Sequence, residues 1–283
     1  MILAALLFWA QGREPEPPRT ILDRWRDSIE IDLAQEVVDA ALPLVTGRGR
    51  LAEDGEAIAI AARALAAAGD RTRAEKLLDE ARPVETARGF VEVARARLAL
   101  ERDDLEAARG ILLSKGSAES PVRFPAISEC WLLAGRSLVR SGRLAEGAPL
   151  LERFLALAPL DAEAPTAWHM LAQAAIARGD PAAAADLRKK AVASAEWQDF
   201  YRTRRIQVRE KPDEPLPRLG IAELFLTAGA HDRALGIASD LAARWPDFCR
   251  GHEALGRAQR GLGRLVEARA ALERAIACDP SSA

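Results

Sequence analysis

Six stretches of this chain can be laid in register so that two columns of small side chains emerge. With first positions at Gly55, Gly89, Ser128, Pro165, Pro215 and Cys249, the eighth residues are Ala62, Ala96, Gly135, Ala172, Ala222 and Gly256. The twentieth are Ala74, Ala108, Gly147, Ala184, Ala234 and Ala268. Two helices cross closely only where neither backbone carries a bulky side chain, so the columns predict antiparallel helix pairs that meet at these positions. The residue midway between the columns is Gly69, Asp103, Gly142, Gly179, Gly229 or Gly263, where the first helix of each pair stops and the chain turns.

The clearest copy is the last. Leu255, Ala258, Leu262 and Leu265, then Leu265, Ala268, Leu272, Ala275 and Ile276, recur at helical rather than strand spacing, with Gly261 and Gly263 between them. Asp279-Pro280 forbids the second helix from continuing. This pattern resembles the tetratricopeptide repeat. The resemblance covers about 55–282, with departures: the fourth position is aromatic only at Trp131 and Trp168, and the terminal proline stands only at Pro159, Pro246 and Pro280. It implies an all-α fold, an α-solenoid of about six antiparallel helix pairs forming a right-handed superhelix, with an N-terminal helical cap.

The starts are 34 residues apart at both ends of the array but 50 apart between Pro165 and Pro215. The surplus includes Trp197, Phe200, Tyr201, Ile206 and Val208 before Lys211-Pro212, and predicts an extra helix at 196–210 that follows the fourth unit, covers the exposed face of the first four units and restarts the array. The expected organisation is therefore repeats one to four plus this helix at 55–210, and repeats five and six at 215–283. Upstream, Ile21, Leu22, Trp25, Ile29, Val37, Val38 and Ala41 predict capping helices within 20–50, ended by Pro43 and the Gly47–Gly49 linker. Residues 1–19 read as a signal peptide with a Pro-rich spacer. The apolar run Ile2–Ala10 is too short to span a bilayer but has the length of a signal-peptide core. Export, to a periplasm for instance, follows if that leader is genuine, and a cytoplasmic location if it is not; membrane association is expected only through the leader.

A net charge of −2 gives no electrostatic footprint for nucleic acid, and none is expected as a partner. Neither TGRGRL nor GLGRL carries a phosphate-loop ending. The three histidines, His169, His231 and His252, lack metal-ligand spacing, and no serine has a nucleophile-elbow context. The chain is read as a non-enzyme without cofactor or metal. Its aromatic residues Trp131, Phe154, Trp168 and Trp245 stand at packing positions.

The family resemblance places the second, fifth, ninth, twelfth and thirteenth residues of each unit on a concave groove. The ninth reads Arg63, Arg97, Arg136, Gln173, Glu223 and Arg257, with Arg140 a turn beyond Arg136. Guanidinium forks match carboxylates, so these predict a groove that grips a protein or peptide partner, an acidic or C-terminal segment in particular. The competing reading pairs the arginines internally with Glu56, Glu101 and Glu129. A chaperone-tail adaptor is disfavoured, because the chain has no Asn and neither Arg63 nor Arg97 has a Lys near it.

Cys249 and Cys278 begin and end one predicted hairpin, and read either as a disulfide or as two small buried hydrophobes. Leu265, Leu272 and Ile276 form a face left partly uncovered by the last pair, a candidate surface for a homo-oligomer or a docked partner. The functional expectation is a scaffold in a bacterial envelope process; the alternative is a regulatory or substrate-recruiting subunit of a separate enzyme.

Overall fold

A computed structural model describes residues 18–30, 33–114 and 120–279. The expected leader, most of its spacer, and Pro280 lie outside them. The described residues form fourteen α-helices, one short 3₁₀ turn and a single isolated antiparallel bridge, Leu113 with Val122. They fall into two compact units, one reaching Arg188 and one starting at Lys189.

In the first unit, α1 (Pro18–Glu30) and α2 (Ala34–Val45) precede α3 (Gly55–Ala67), α4 (Arg71–Glu80), α5 (Arg88–Glu101), α6 (Leu105–Leu112), α7 (Ser128–Arg140), α8 (Leu144–Leu157) and α9 (Ala164–Ala177). Ile21, Leu22 and Trp25 of α1 and Val37, Val38 and Ala41 of α2 are buried with the α3–α4 core. Pro43 does not end α2; it sits inside the last turn, solvent-exposed. First helices of successive pairs also touch, α3 against α5, α5 against α7 and α7 against α9, so each core is shared with the next. The second unit holds α11 (Pro215–Thr227), α12 (His231–Arg244), α13 (Cys249–Gly261) and α14 (Leu265–Cys278).

All twelve residues of the two small columns are buried. Gly135 and Gly147 show why. A Cβ on Gly135 would stand 2.8 Å from Leu151, and one on Gly147 would stand 2.9 Å from the Gly135 carbonyl oxygen. In the last pair, a Cβ on Gly256 would lie 2.6 Å from Leu272.

The turn column is equally uniform. Gly69, Gly142, Gly179, Gly229 and Gly263 all have φ between 73 and 89°, and Asp103, the one departure from glycine, adopts φ 63°. An aspartate tolerates that left-handed conformation better than most side chains do. In three of the turns the next residue is Asp70, Asp104 or Asp180, whose carboxylate accepts a backbone N–H of the following helix. A paired substitution separates conformation from contact, since a Cβ on Gly229 or on Gly236, within α12, meets nothing within 4 Å. Gly229→Ala is expected to destabilise by about 1 kcal/mol and Gly236→Ala to stabilise by a similar amount, roughly 0.8 kcal/mol. Urea midpoints moving in the same direction would refute the conformational account.

The extra helix is corrected. No separate helix begins at Glu196: α10 runs unbroken for 30 residues, Pro181–Glu210. Nothing between Pro181 and Pro212 is a glycine or proline, so the backbone has no reason to stop. The boundary between the compact units falls inside α10, between Arg188 and Lys189. Aromatic residues of the added stretch pack within the second unit. Trp197 and Tyr201 stack at 5.2 Å and both pack on Phe225 of α11, at 5.6 and 5.5 Å. Phe200, expected to be apolar covering, is 63% exposed.

Candidate binding face

Helices α3, α5 and α7 carry Arg63, Arg97 and Arg136 at equivalent positions. Arg97 is the most enclosed, its side chain 13% exposed. Its Nε donates to Glu129 Oε1 of α7 at 2.5 Å and its Nη1 to Glu163 Oε1, just before α9, at 2.8 Å. One guanidinium thus ties α5 to the two units that follow. Arg136 adds a longer contact, 3.9 Å from Nη1 to the other Glu163 oxygen.

Desolvation works against charge at the half-buried Arg97, Glu129 and Glu163, but the contacts outweigh it. Burial alone would lower the Arg97 pKa, yet Glu129 and Glu163 raise it well above the ordinary arginine value. Burial alone would raise Glu129 and Glu163, yet Arg97, helped by Arg63, holds both below the usual carboxylate value. Asp161 is the exception, since desolvation keeps its pKa raised even though it accepts the Glu163 backbone N–H at 2.9 Å. Three arginines therefore face three acids, and the stripe is close to neutral.

The internal pairing that competed with the groove is thus partly realised, with different partners. Glu129 does pair with Arg97, but Glu56 pairs with Arg26 of α1 and Glu101 with Arg71 of α4. Arg140 donates to the Leu100 carbonyl at 3.1 Å and to Asp103 at 2.5 Å, bracing the left-handed turn. Gln173 bonds His169 one turn away at 3.2 Å. In the second unit, Glu223 accepts from Arg250 at 2.9 Å, and Arg257 stands 3.7 Å from Glu253. Sequence reasoning missed Glu163 and Asp161, which precede the unit start at Pro165; acids at the entry to a first helix were the available signal.

On α9 the same register is open to solvent. Thr166, His169, Gln173, Ile176 and Ala177, the second, fifth, ninth, twelfth and thirteenth residues of the unit that starts at Pro165, are all exposed, and Ile176 is 47% exposed. The equivalent Val93, Leu100, Leu132 and Val139 are buried. A second concavity of about 600 Å³ lies between the start of α5 and the 123–127 segment, lined by Phe90, Phe124 and Pro125 with Arg88, Arg123, Glu85 and Glu92 among its rim.

Cys249 and Cys278 are joined by a disulfide, Cα atoms 5.4 Å apart, and neither residue is buried. Cys130 is the free, buried thiol, its pKa pushed up to about 11 by desolvation. Closing a loop of 29 residues removes enough chain entropy from the unfolded state to stabilise by about 3.5 kcal/mol. Cys249→Ser/Cys278→Ser is expected to lose most of that, read as a lower melting temperature for the second unit, whereas unchanged melting would show the link to be inert. Of the uncovered face, Leu265 and Ile276 are 67% and 47% exposed and Val266 81%, while Leu272 turns in against Gly256. Among the described residues no group of His, Cys, Asp and Glu is arranged to hold a metal, and no helix is long and apolar enough to cross a membrane. His252 is buried, bonds the Pro246 carbonyl at 2.8 Å and is a packed side chain.

A family model described as tetratricopeptide repeat matches residues 132–199 and 208–283, together half of the chain. No curated protein matches. Among solved structures, one named "MamA MSR-1 C2" is 18% identical, with 69% of this chain and 99% of that chain covered and a TM-score of 0.29. "YrrB: a TPR protein with an unusual peptide-binding site" is 15% identical, with coverage of 68% and 87% and a TM-score of 0.30. A monomeric mutant of IFIT1 is 15% identical, with coverage of 87% and 62% and a TM-score of 0.42. At these scores the family match, not the overlays, carries the assignment.

Proposed function

Since this chain belongs to the tetratricopeptide repeat family, we propose that it is a non-catalytic binding protein that holds a segment of a partner protein on the inner faces of its first helices. The observation that carries the reading is the open face of α9. Thr166, His169 and Gln173 offer neutral hydrogen-bonding groups beside the exposed apolar Ile176, while Ala167, Met170, Leu171, Ala174 and Ala175 of that helix are buried. A neutral, partly apolar face suits a peptide backbone and one apolar side chain. The arginine stripe that drew attention in the sequence is largely consumed by its own acids, so a simple preference for acidic partners loses its main support.

The test is selection of binders from a displayed random-peptide library, followed by titration with Gln173→Ala/Ile176→Glu. Both sites are exposed, so folding is expected to be unchanged and affinity to fall by about tenfold or more. Equal affinity for the variant rejects this face as the binding site.

Within the same reading, the protein acts as a scaffold in assembly at a bacterial envelope. A disulfide of this kind persists in an oxidising compartment and is rare in a reducing one. Three free thiols in protein isolated under non-reducing, denaturing conditions would argue for a cytoplasmic location. The regulatory-subunit alternative uses the same face and differs only in what the partner is. Self-association through Leu265, Val266 and Ile276 is a further element of the proposal, read by light scattering at micromolar concentration.

A further inference from the structure

We infer that Glu163 is an internal stand-in for a partner's carboxylate, so that the arginine face of the first unit is self-occupied and admits an acidic segment only when Glu163 is displaced. This rests on the reading that the inner face receives a peptide, and adds how its charged part is regulated.

The two acids on Arg97 are held differently. Glu129 is fixed in the first turn of α7. Glu163 stands at the position preceding α9, where a side chain would ordinarily cap the helix, yet it makes no capping hydrogen bond and reaches instead to Arg97 at 2.8 Å and Arg136 at 3.9 Å. A residue at a helix entry that leaves the cap open and turns to a neighbouring unit gains its stability from that contact alone. It can leave without unwinding a helix.

The receiving groups are incompletely used. Among the described residues, Arg136 makes only its 3.9 Å contact and Arg63 makes no hydrogen bond or ion pair, although its charge acts on Glu129, Asp161 and Glu163. A partner carboxylate entering in place of Glu163 would meet the Nη1 edge of Arg97 and the donors of Arg136, a geometry suited to a two-point grip. The remaining acids facing this spot are Glu129 and Asp161, which keep the empty site from becoming a strong general anion trap. Gating, rather than affinity, is then the consequence of the arrangement.

The probe is N-acetylated hexaglutamate, with hexaglutamine as control, titrated by fluorescence anisotropy against the full chain. Glu163→Gln is expected to bind hexaglutamate about tenfold more tightly than wild type, with no change for hexaglutamine. Adding Arg136→Gln is expected to remove the gain. In the wild-type background Arg136→Gln alone is expected to weaken hexaglutamate further. The inference is overturned if folded Glu163→Gln shows no gain, if the gain survives Arg136→Gln, or if Glu163→Gln loses cooperative unfolding, which would make Glu163 structural. Should library-selected peptides still lose affinity with Gln173→Ala/Ile176→Glu while hexaglutamate shows no gain, only self-occupancy falls and the binding face stands.

Discussion

Gly147→Leu is expected to cost the first unit about 3 kcal/mol. The site admits no Cβ at all without movement: one would lie 2.8 Å from Val139, 2.9 Å from the Gly135 carbonyl oxygen and 3.1 Å from Leu138. Val139 Cγ2 can turn aside with its side chain, but Leu138 Cβ is fixed by its own backbone and the carbonyl belongs to the facing one, so the helices must separate. Separation opens the contacts around Leu151 and Phe154, both fully buried, and the loss spreads into the neighbouring core. Gly110→Leu is the control, because nothing lies within 4 Å of its Cβ position. Urea denaturation followed by far-UV circular dichroism reads the difference. A midpoint for Gly147→Leu within the error of Gly110→Leu would mean that the small columns do not mark where paired helices touch.

Removing the Arg97 charge is the second large effect. Arg97→Met keeps the length of the side chain but leaves Glu129 and Glu163 without their main counter-charge in a largely desolvated setting. Loss of one member of such a network costs about 3 kcal/mol near neutral pH, because the remaining charges are stranded. The pH profile carries the sharper signature. In the native protein both glutamates sit below the ordinary value near 4.5, so they contribute stability that is present above that value and is lost as pH falls through their folded pKa values. Without Arg97, burial becomes the governing influence and raises them, and their contribution changes sign: the variant recovers stability relative to wild type on acidification. The gap between the two proteins is expected to be widest near pH 7 and to narrow below pH 5, in roughly the window set by unfolded-state glutamate. Arg97→Met/Glu129→Gln/Glu163→Gln should restore much of the loss at neutral pH. A gap independent of pH would show that Arg97 acts through packing of its stem rather than its charge.

Charge also distinguishes residues that the sequence presents as equals on this face. Arg63, Arg97 and Arg136 occupy equivalent positions, and as letters they are equal candidates for a partner's carboxylate. In three dimensions they are unequal. Among the described residues, Arg97 meets acids 32 and 66 residues away, Arg136 touches one of them at the edge of ion-pair distance, and Arg63 acts through its field. The α9 face was visible only through Gln173, and its openness follows from packing.

The reach of the sequence by itself is clear from which features hold. Small residues at two fixed offsets, a left-handed turn between them and apolar residues at helical spacing are constraints within one hairpin, expressed over about thirty residues, and each has one structural solution. Burial of every column residue and positive φ at every turn follow from that local chemistry. Tertiary structure alone decided that α10 continues through the expected break, that its aromatic rings go to Phe225, that Cys249 meets Cys278, and that Glu163 spends its carboxylate on Arg97. Those outcomes depend on which long side chains come within a few ångströms across separate units, and long flexible side chains have several partners in reach until the packed backbone selects one.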